Sequence, residues 1–159
     1  MLIRTSPNQV EKTYKDFLDN YSKPKNLKES ELEEVKKTIN NLGLTWRANI
    51  LKKMAKYLID NNIHEEERLT IEELKNIPGV GDYIANAVLT FYYEKRAILI
   101  DSNTKRFFKR YYKDIYDEGL KKNVLKKRMD KIVPENNKDA VKFNIAFLDF
   151  MRKVCKPTN

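Results

Sequence analysis

The sequence has little cysteine and little histidine, which limits the metal and catalytic sites that it can form. Cys155 is the single cysteine and His64 the single histidine among 159 residues. One thiol excludes a disulfide framework and an all-cysteine metal cluster within the chain. One imidazole excludes a metal triad of histidines and disfavours a serine-histidine-aspartate triad. From these counts we expect a soluble protein of a reducing, intracellular compartment, the cytoplasm.

Glycine and proline are also scarce, with four and five residues. Leucine, isoleucine, lysine and glutamate, which are all compatible with helices, are abundant instead, and apolar residues recur at helical spacing. This composition predicts an all-α fold. No apolar run approaches the roughly 20 residues of a membrane span, and no signal peptide opens the chain, so we expect no membrane association.

Two polar sequence pairs predict where helices begin. Ser30 with Glu33 and Thr70 with Glu73 have the spacing of a capping box, in which two side chains satisfy main-chain N–H groups reciprocally. We therefore predict helices that begin after Ser30 and after Thr70. The proline-containing stretch 21–27 is predicted to be a connection.

The charge of the chain is strongly positive. Lysine and arginine number 32 against 23 acidic residues, which gives a formal net charge of +9. Such an excess indicates a polyanionic partner, but lysine also solubilises ordinary surfaces. Charge alone leaves both interpretations open.

A tight turn, Ile77-Pro-Gly-Val-Gly81, joins two helical patterns. Glycine adopts positive φ and lets the main chain approach a ligand closely. A helix that begins after Gly81 offers unpaired N–H groups and a partial positive charge, both of which suit a phosphate. The same turn chemistry also serves as a plain connector. As a functional site, it predicts phosphate binding by three residues: Gly79, Val80 and Gly81.

A lone acid, Asp101, follows an apolar run downstream of this turn and precedes the pair Lys105-Arg106. An aspartate in that place can simply cap a helix. It can also act as a catalytic carboxylate. Together, a phosphate-binding turn and a carboxylate at a fixed separation suggest chemistry on a nucleic acid.

These motifs resemble those of the helix-hairpin-helix DNA glycosylases of the endonuclease III superfamily. The segment 41–51 is similar to the family segment after the second barrel helix, and Asp101-Ser-Asn-Thr-Lys-Arg106 is similar to the family box Asp-x-Asn-x-x-Arg. The resemblance implies two helical lobes with DNA between them. We expect a first lobe over residues 1–96, with the hairpin, and a second over 97–159 that is incomplete relative to the family.

The resemblance also implies roles for two side chains. Asp101 would stabilise the oxocarbenium character that develops on the deoxyribose during base release. Tyr83 stands where family members that also cut the backbone have a lysine, and a tyrosine has no amine to form an imine. The resemblance therefore implies a monofunctional enzyme, similar to the G·T/G·U mismatch thymine glycosylases. Tyr83 could stack on an extruded pyrimidine or hydrogen-bond to it, or it could simply pack at the helix start.

Further DNA contacts follow from the same resemblance. Met1-Leu-Ile-Arg-Thr5 is similar to a family segment that lines the base pocket, with Arg4 as the side chain that fills the hole in the duplex. Arg47 would reach the strand opposite the lesion, whereas Trp46 is expected in the core or as a loop anchor. The helix after Asp101 would meet the DNA through three residues: Asn103, Lys105 and Arg106.

The resemblance also bears on two cofactors of the family. Cys155 resembles the first ligand of the four-cysteine iron–sulfur loop, but the sequence has no other cysteine, so we expect no [4Fe–4S] cluster. Family hairpins can bind a monovalent or divalent cation through main-chain carbonyls, which correspond here to those of Lys75, Ile77 and Val80. No other cofactor is expected.

The sequence therefore predicts a monomeric, monofunctional DNA glycosylase of base excision repair, associated with the nucleoid. It would flip and hydrolyse a mispaired thymine or uracil opposite guanine in double-stranded DNA. Excision of adenine is the alternative within the family, although the family's pocket glutamate has no counterpart before residues 1–5, which disfavours adenine and suggests a shortened N-terminus. A non-catalytic helix-hairpin-helix module that only binds DNA is the alternative of another class.

Overall fold

A computed structural model describes residues 7–43, 45–64, 68–112 and 122–155. This part of the chain forms nine α-helices and one short 3₁₀ helix, and it contains no strand. The predicted all-α fold is confirmed. None of the described helices is both long and apolar enough to cross a membrane.

The chain divides into two compact units, Met1–Gly79 and Val80–Asn159. The division falls inside the glycine-containing turn. The boundary that we expect between the two helical lobes, near residue 96, stays a prediction.

The first unit contains five helices, and the first four of them contribute to one apolar core. They are α1 (Pro7–Asn20), α2 (Pro24–Glu29), α3 (Leu32–Ile39), α4 (Arg47–Asp60) and α5 (Ile71–Asn76), with a 3₁₀ helix at Asn40–Leu42 after α3. Both α2 and α3 pack against α4. The buried members of this core are Leu27, Val35, Ile39, Leu42, Ala48 and Ala55.

Two expectations about the start of this unit are wrong. The stretch 21–27 contains the beginning of α2, because Pro24 occupies the first helical position, where a missing N–H costs nothing. Ser30 ends α2 instead of capping α3, and its N–H donates to the Asn26 carbonyl at 3.1 Å. The cap of α3 is Glu31, one residue later.

The predicted capping box at α5 is confirmed. The main-chain N–H of Glu73 donates to the Thr70 hydroxyl at 3.3 Å, and the Thr70 N–H donates to the Glu73 carboxylate at 2.7 Å. Both bonds satisfy N–H groups that the helix cannot pair by itself. They fix the start of the short helix that leads into the turn.

The second unit contains the other four helices, which are α6 (Asp82–Phe91), α7 (Ser102–Tyr111), α8 (Lys122–Ile132) and α9 (Asn137–Lys153). Phe108 of α7 is fully buried and belongs to a core that α8 and α9 complete. The other buried members are Leu125, Met129, Val133 and Ala140.

The segment between α6 and α7 is anchored at several points. Ala97 and Leu99 are buried, and the side-chain amide of Asn144 donates to the Ala97 carbonyl at 3.0 Å. The guanidinium of Arg96 donates to the main-chain oxygens of Asp130 and of two residues that follow α8. This anchoring fixes the backbone that delivers Asp101 to the start of α7.

Candidate active site

The two glycines of the turn have different structural requirements. Gly79 has φ of 85°, as the turn predicted, and a Cβ atom at this position would overlap Cγ2 of Ile50 in α4. Gly81 has an extended backbone with φ of −94°, and a Cβ atom there would meet nothing within 4 Å. The fold therefore requires glycine at 79, whereas at 81 only a close approach from outside would require it.

The first turn of α6 begins at Gly81, which is its N-cap and has no side chain to cap the helix. The first N–H groups of a helix have no partner within the helix, and they carry a partial positive charge. Asp82, the first residue of α6, brings one negative charge to this turn. Tyr83 follows it, with 39% of its surface exposed.

Asp101 caps α7 and uses both of its carboxylate oxygens. Oδ1 accepts from the Thr104 main-chain N–H at 2.7 Å and from the Thr104 hydroxyl at 3.0 Å. Oδ2 accepts from the side-chain amide of Asn103 at 2.7 Å. The capping role is therefore present, and three donors fix the orientation of the carboxylate. The role of Thr104, which is fully buried, had a sequence signal in its capping-box distance from Asp101.

Tyr83 and Asp101 interact electrostatically within the second unit. Partial burial raises the pKa of the Tyr83 phenol above its ordinary value, and the negative charge of Asp101 raises it further. Both effects disfavour the phenolate, so Tyr83 is a neutral O–H donor at physiological pH. The two residues that were expected to be catalytic therefore lie within electrostatic range of each other.

A hydrogen-bonded chain connects Asp101 to the end of α9. The guanidinium of Arg106 donates to the side-chain oxygen of Asn103 at 2.8 Å, and Asn103 donates in turn to Asp101. Nε and Nη2 of Arg106 both donate to the main-chain oxygen of Cys155, at 2.8 and 2.6 Å. Asn103 and Arg106 therefore have intramolecular partners, and their expected DNA contacts stay predictions.

The remaining expected DNA contacts are dispersed. Arg4 lies outside the described residues. Arg47 begins α4, and its guanidinium lies over the indole ring of Trp46, 5.0 Å from the centroid. Trp46 is 60% exposed, so the expectation that it belongs to the core is wrong. Lys105 is exposed on α7.

The metal-ligating groups of this chain do not fit an iron–sulfur cluster, but the main-chain carbonyls of the turn are of the type that a cation would need. Within the described ranges, no group of three or more histidine, cysteine or acidic residues could hold a metal ion. A single cysteine cannot supply the four thiolates of a [4Fe–4S] cluster, so the residues present do not fit that group. The carbonyls of Lys75, Ile77 and Val80 are of the oxygen type that hard cations prefer, and they stay a prediction.

Curated relatives of this chain include proteins named for thymine or uracil and one named for adenine. The thymine/uracil-DNA glycosylase of Pyrobaculum aerophilum is 33% identical over 98% of this chain and 68% of that protein. The thymine-DNA glycosylase of Aeropyrum pernix is 32% identical over 98% of this chain and 70% of that protein. An adenine DNA glycosylase of Buchnera aphidicola subsp. Baizongia pistaciae is 28% identical over the whole chain, which covers 44% of that protein.

Solved structures and the family comparison agree with these relatives. A thermostable thymine-DNA glycosylase superposes with a TM-score of 0.84 at 29% identity, over 99% of this chain and 72% of that one. An endonuclease III trapped covalently on DNA superposes with a TM-score of 0.85 at 26% identity, over 99% of this chain and 72% of that one. The prediction of a base excision DNA glycosylase is confirmed. Because the family described as HhH-GPD superfamily base excision DNA repair protein matches residues 1–135, the chain belongs to the HhH-GPD superfamily.

Proposed function

We propose that this protein is a monofunctional DNA glycosylase that removes thymine or uracil paired with guanine, by flipping the nucleotide and hydrolysing its glycosidic bond. One observation carries the proposal, namely an oriented Asp101 carboxylate whose charge acts on a tyrosine, and not a lysine, at residue 83. The relatives named for thymine and uracil support the choice of base. The substrate is double-stranded DNA inside the cell, and the enzyme acts as a monomer.

Asp101 performs the hydrolysis in this proposal. A carboxylate has about four lone-pair sites, and three donors occupy Asp101, which leaves a second site on Oδ2. A water held there attacks C1′ as the bond from C1′ to the base nitrogen breaks, and the base leaves as its anion with the bonding electron pair. The water proton passes to Asp101, and the negative charge stabilises the cationic sugar before that transfer.

Tyr83 restricts the chemistry to hydrolysis. It has no amine, so no imine forms with the sugar and no β-elimination follows. Its neutral phenol can donate a hydrogen bond to a carbonyl oxygen, and thymine and uracil each present two. Its ring can also stack on the extruded base. The position of Tyr83 beside the charge of Asp101 supports contact with the flipped pyrimidine.

The turn before α6 holds the DNA backbone in this proposal. The main-chain N–H groups of Gly79 and Gly81 bind a phosphate next to the lesion, and Val80 lies between them. A cation on the carbonyls of Lys75, Ile77 and Val80 would stabilise the turn and supply positive charge toward the phosphate. Arg4 would fill the space that the extruded nucleotide leaves. The amide-rich start of α6 and the net charge of +9 support this binding mode.

A panel of duplexes tests the proposal. We expect base release from G·T and G·U duplexes, detected as strand breaks that appear only after alkali. Breaks without alkali would contradict the monofunctional assignment. Release from an A·G duplex alone would favour adenine excision, which the Buchnera aphidicola relative makes the second candidate. Salt-sensitive binding with no product from any duplex would favour a non-catalytic module.

Arg106 and Lys105 are neighbours on α7, and we expect the first to affect the reaction rate and the second to affect DNA binding. We propose that Arg106 positions Asp101 through Asn103, since its guanidinium is already bonded within the chain. Arg106→Ala should lower the single-turnover rate at saturating DNA by about a hundredfold, the effect of a misplaced catalytic group. The slope of log affinity against log salt should not change. Single-turnover kinetics and DNA binding at several salt concentrations measure both quantities.

Lys105→Ala is the matched control. Lys105 is exposed, so its loss should weaken DNA binding and reduce the salt slope by about one while the saturated rate stays the same. If Arg106→Ala showed this same pattern, Arg106 would be a phosphate contact and not a positioning residue. Circular dichroism of both variants checks that the helices remain.

A further inference from the structure

Trp46 is the single tryptophan of the chain, and most of its large side chain is exposed. It is 60% exposed and does not belong to the apolar core of its unit. An indole is a large apolar surface, and covering it with a partner would be favourable. Helix capping does not explain the exposed position of Trp46 either, because its side chain makes no hydrogen bond that caps α4.

The surroundings of Trp46 favour an anionic aromatic partner. Arg47 lies over the indole, with its guanidinium 5.0 Å from the ring centroid. Arg47 also occupies the first position of α4, where the helix dipole favours acids and disfavours cations, and α3 and α5 each have two glutamates in their first turn. An aromatic ring next to a cation at the positive end of a helix matches a nucleobase with its phosphate.

Trp46 precedes, by one turn of α4, the residue that Gly79 contacts. Trp46 and Ile50 are four residues apart at the start of α4, so they lie on the same side of the helix, about 6 Å apart along its axis. Ile50 is the residue against which Gly79 packs, and Met54, one turn further on, lies on the same side. The start of α4, with Trp46, is therefore one helical turn from the contact between Ile50 and Gly79.

We propose that Trp46 stacks on a base that becomes unstacked when the DNA opens, with Arg47 on the neighbouring phosphate. Base flipping breaks the stack on both sides of the extruded nucleotide, and an aromatic side chain replaces part of the lost stacking. This inference rests on the proposed function only in taking opened duplex DNA as the ligand. It assigns a stacking role to a residue outside the pair Asp101 and Tyr83.

Tryptophan fluorescence tests the inference directly, because Trp46 is the single tryptophan and therefore the source of all tryptophan emission. The protein is titrated with a duplex that contains one abasic site opposite guanine, and with a matched duplex of equal length. We expect a saturable quench with the abasic duplex, at the midpoint that the anisotropy of labelled DNA gives, and a much smaller quench with the matched duplex. Equal quenching by both, or unchanged emission while anisotropy reports saturation, would overturn the proposal.

Substitutions provide the second measurement. Trp46→Ala should weaken binding of the abasic duplex by about tenfold, in the range measured for loss of one base-stacking ring, whereas Trp46→Phe should keep most of the affinity. Tyr14→Ala is the matched control, because Tyr14 is a 52% exposed aromatic residue on α1 of the same unit. The affinity of this variant for the abasic duplex should equal that of the parent protein. An equal loss in Tyr14→Ala, or no loss in Trp46→Ala, would overturn the proposal.

The two proposals can fail separately. The abasic duplex already lacks the base, so the quench does not depend on any excision. A protein that quenches on the abasic duplex but releases neither thymine nor uracil leaves the stacking inference intact and removes the proposed substrate. A protein that excises from G·T duplexes with unchanged emission and an unaffected Trp46→Ala variant leaves the proposed function intact and removes the stacking role.

Discussion

Asp101→Asn should reduce base release by about a thousandfold or more, which is the largest effect we expect from any single substitution. Asparagine keeps an oxygen that can accept from the Thr104 N–H, so α7 keeps its cap. It loses the negative charge that stabilises the sugar cation and accepts the water proton. Single-turnover release of uracil from a G·U duplex, followed by alkali, measures the rate, and the anisotropy of labelled DNA measures binding.

The control for this variant is another aspartate at the start of a helix in the same unit. Asp139 lies in the first turn of α9, is exposed, and accepts from the side-chain amide of Asn136 at 2.8 Å. Asp139→Asn should leave both the rate and the binding near those of the parent protein. Near-normal turnover of Asp101→Asn, with DNA binding intact, would remove the catalytic assignment and leave Asp101 as a cap alone.

Gly79→Ala should destabilise the first unit by about 2–4 kcal/mol, the sum of two unfavourable changes. A residue with a Cβ atom is strained by roughly 1 kcal/mol at the positive φ of this position. The overlap with Cγ2 of Ile50 adds an overpacking cost of about 1–3 kcal/mol. Chemical denaturation followed by helical circular dichroism measures the change in the free energy of unfolding.

Gly81→Ala separates folding from binding at the same turn. Space is open around residue 81, so this variant should cost at most about 1 kcal/mol, the difference between glycine and alanine at an N-cap. Its methyl group should nevertheless weaken DNA binding, since it lies where we expect the phosphate to approach. Unchanged affinity of Gly81→Ala would contradict the phosphate site at this turn.

The substitution Ile50→Ala tests whether the overlap with Ile50 is the reason why Gly79→Ala destabilises the first unit. If the overlap with Ile50 is the main cost of Gly79→Ala, then the cost should fall by more than about 1 kcal/mol when Ile50 is already alanine. An additive double variant would assign the loss to backbone strain alone. A stable Gly79→Ala single variant would contradict both explanations.

Several features of the fold were predictable because local rules decide them. The capping box of Thr70 and Glu73 depends on a spacing of three residues, and the positive φ of Gly79 depends on the turn itself. Asp101 lies at the start of α7 for the same reason, and its bond to Thr104 again spans three residues. Such patterns require no knowledge of distant neighbours.

The error at Ser30 illustrates where local rules stop. Ser30 with Glu33 and Glu31 with Glu34 both have the capping spacing, so the sequence permits either start for α3. Lys52 of α4 donates to main-chain oxygens at the end of α2, including those of Lys28 and Ser30. A cation stabilises the carbonyl end of a helix, so a contact between helices favours Ser30 as the end of α2.

The sequence likewise could not predict which group the Arg106 guanidinium contacts. Its partner, the Cys155 carbonyl, is 49 residues away along the chain. A basic residue on a helix next to a catalytic acid matches a phosphate contact equally well, and only the packing of α7 beside the end of α9 supplies the competing acceptor. Of the two places expected for Trp46, the core was wrong for a related reason, because an aromatic residue is buried only where another element covers it.

The amino-acid sequence by itself determined the all-α class, the glycine turn, the tyrosine at residue 83 and the helix-capping aspartate, because composition and spacings of a few residues specify them. Only the tertiary structure decided that the Arg106 guanidinium donates to the Cys155 carbonyl and that the indole of Trp46 stays exposed. These arrangements depend on which helices pack together, and the free energy of that packing is a property of the whole unit and not of any local segment.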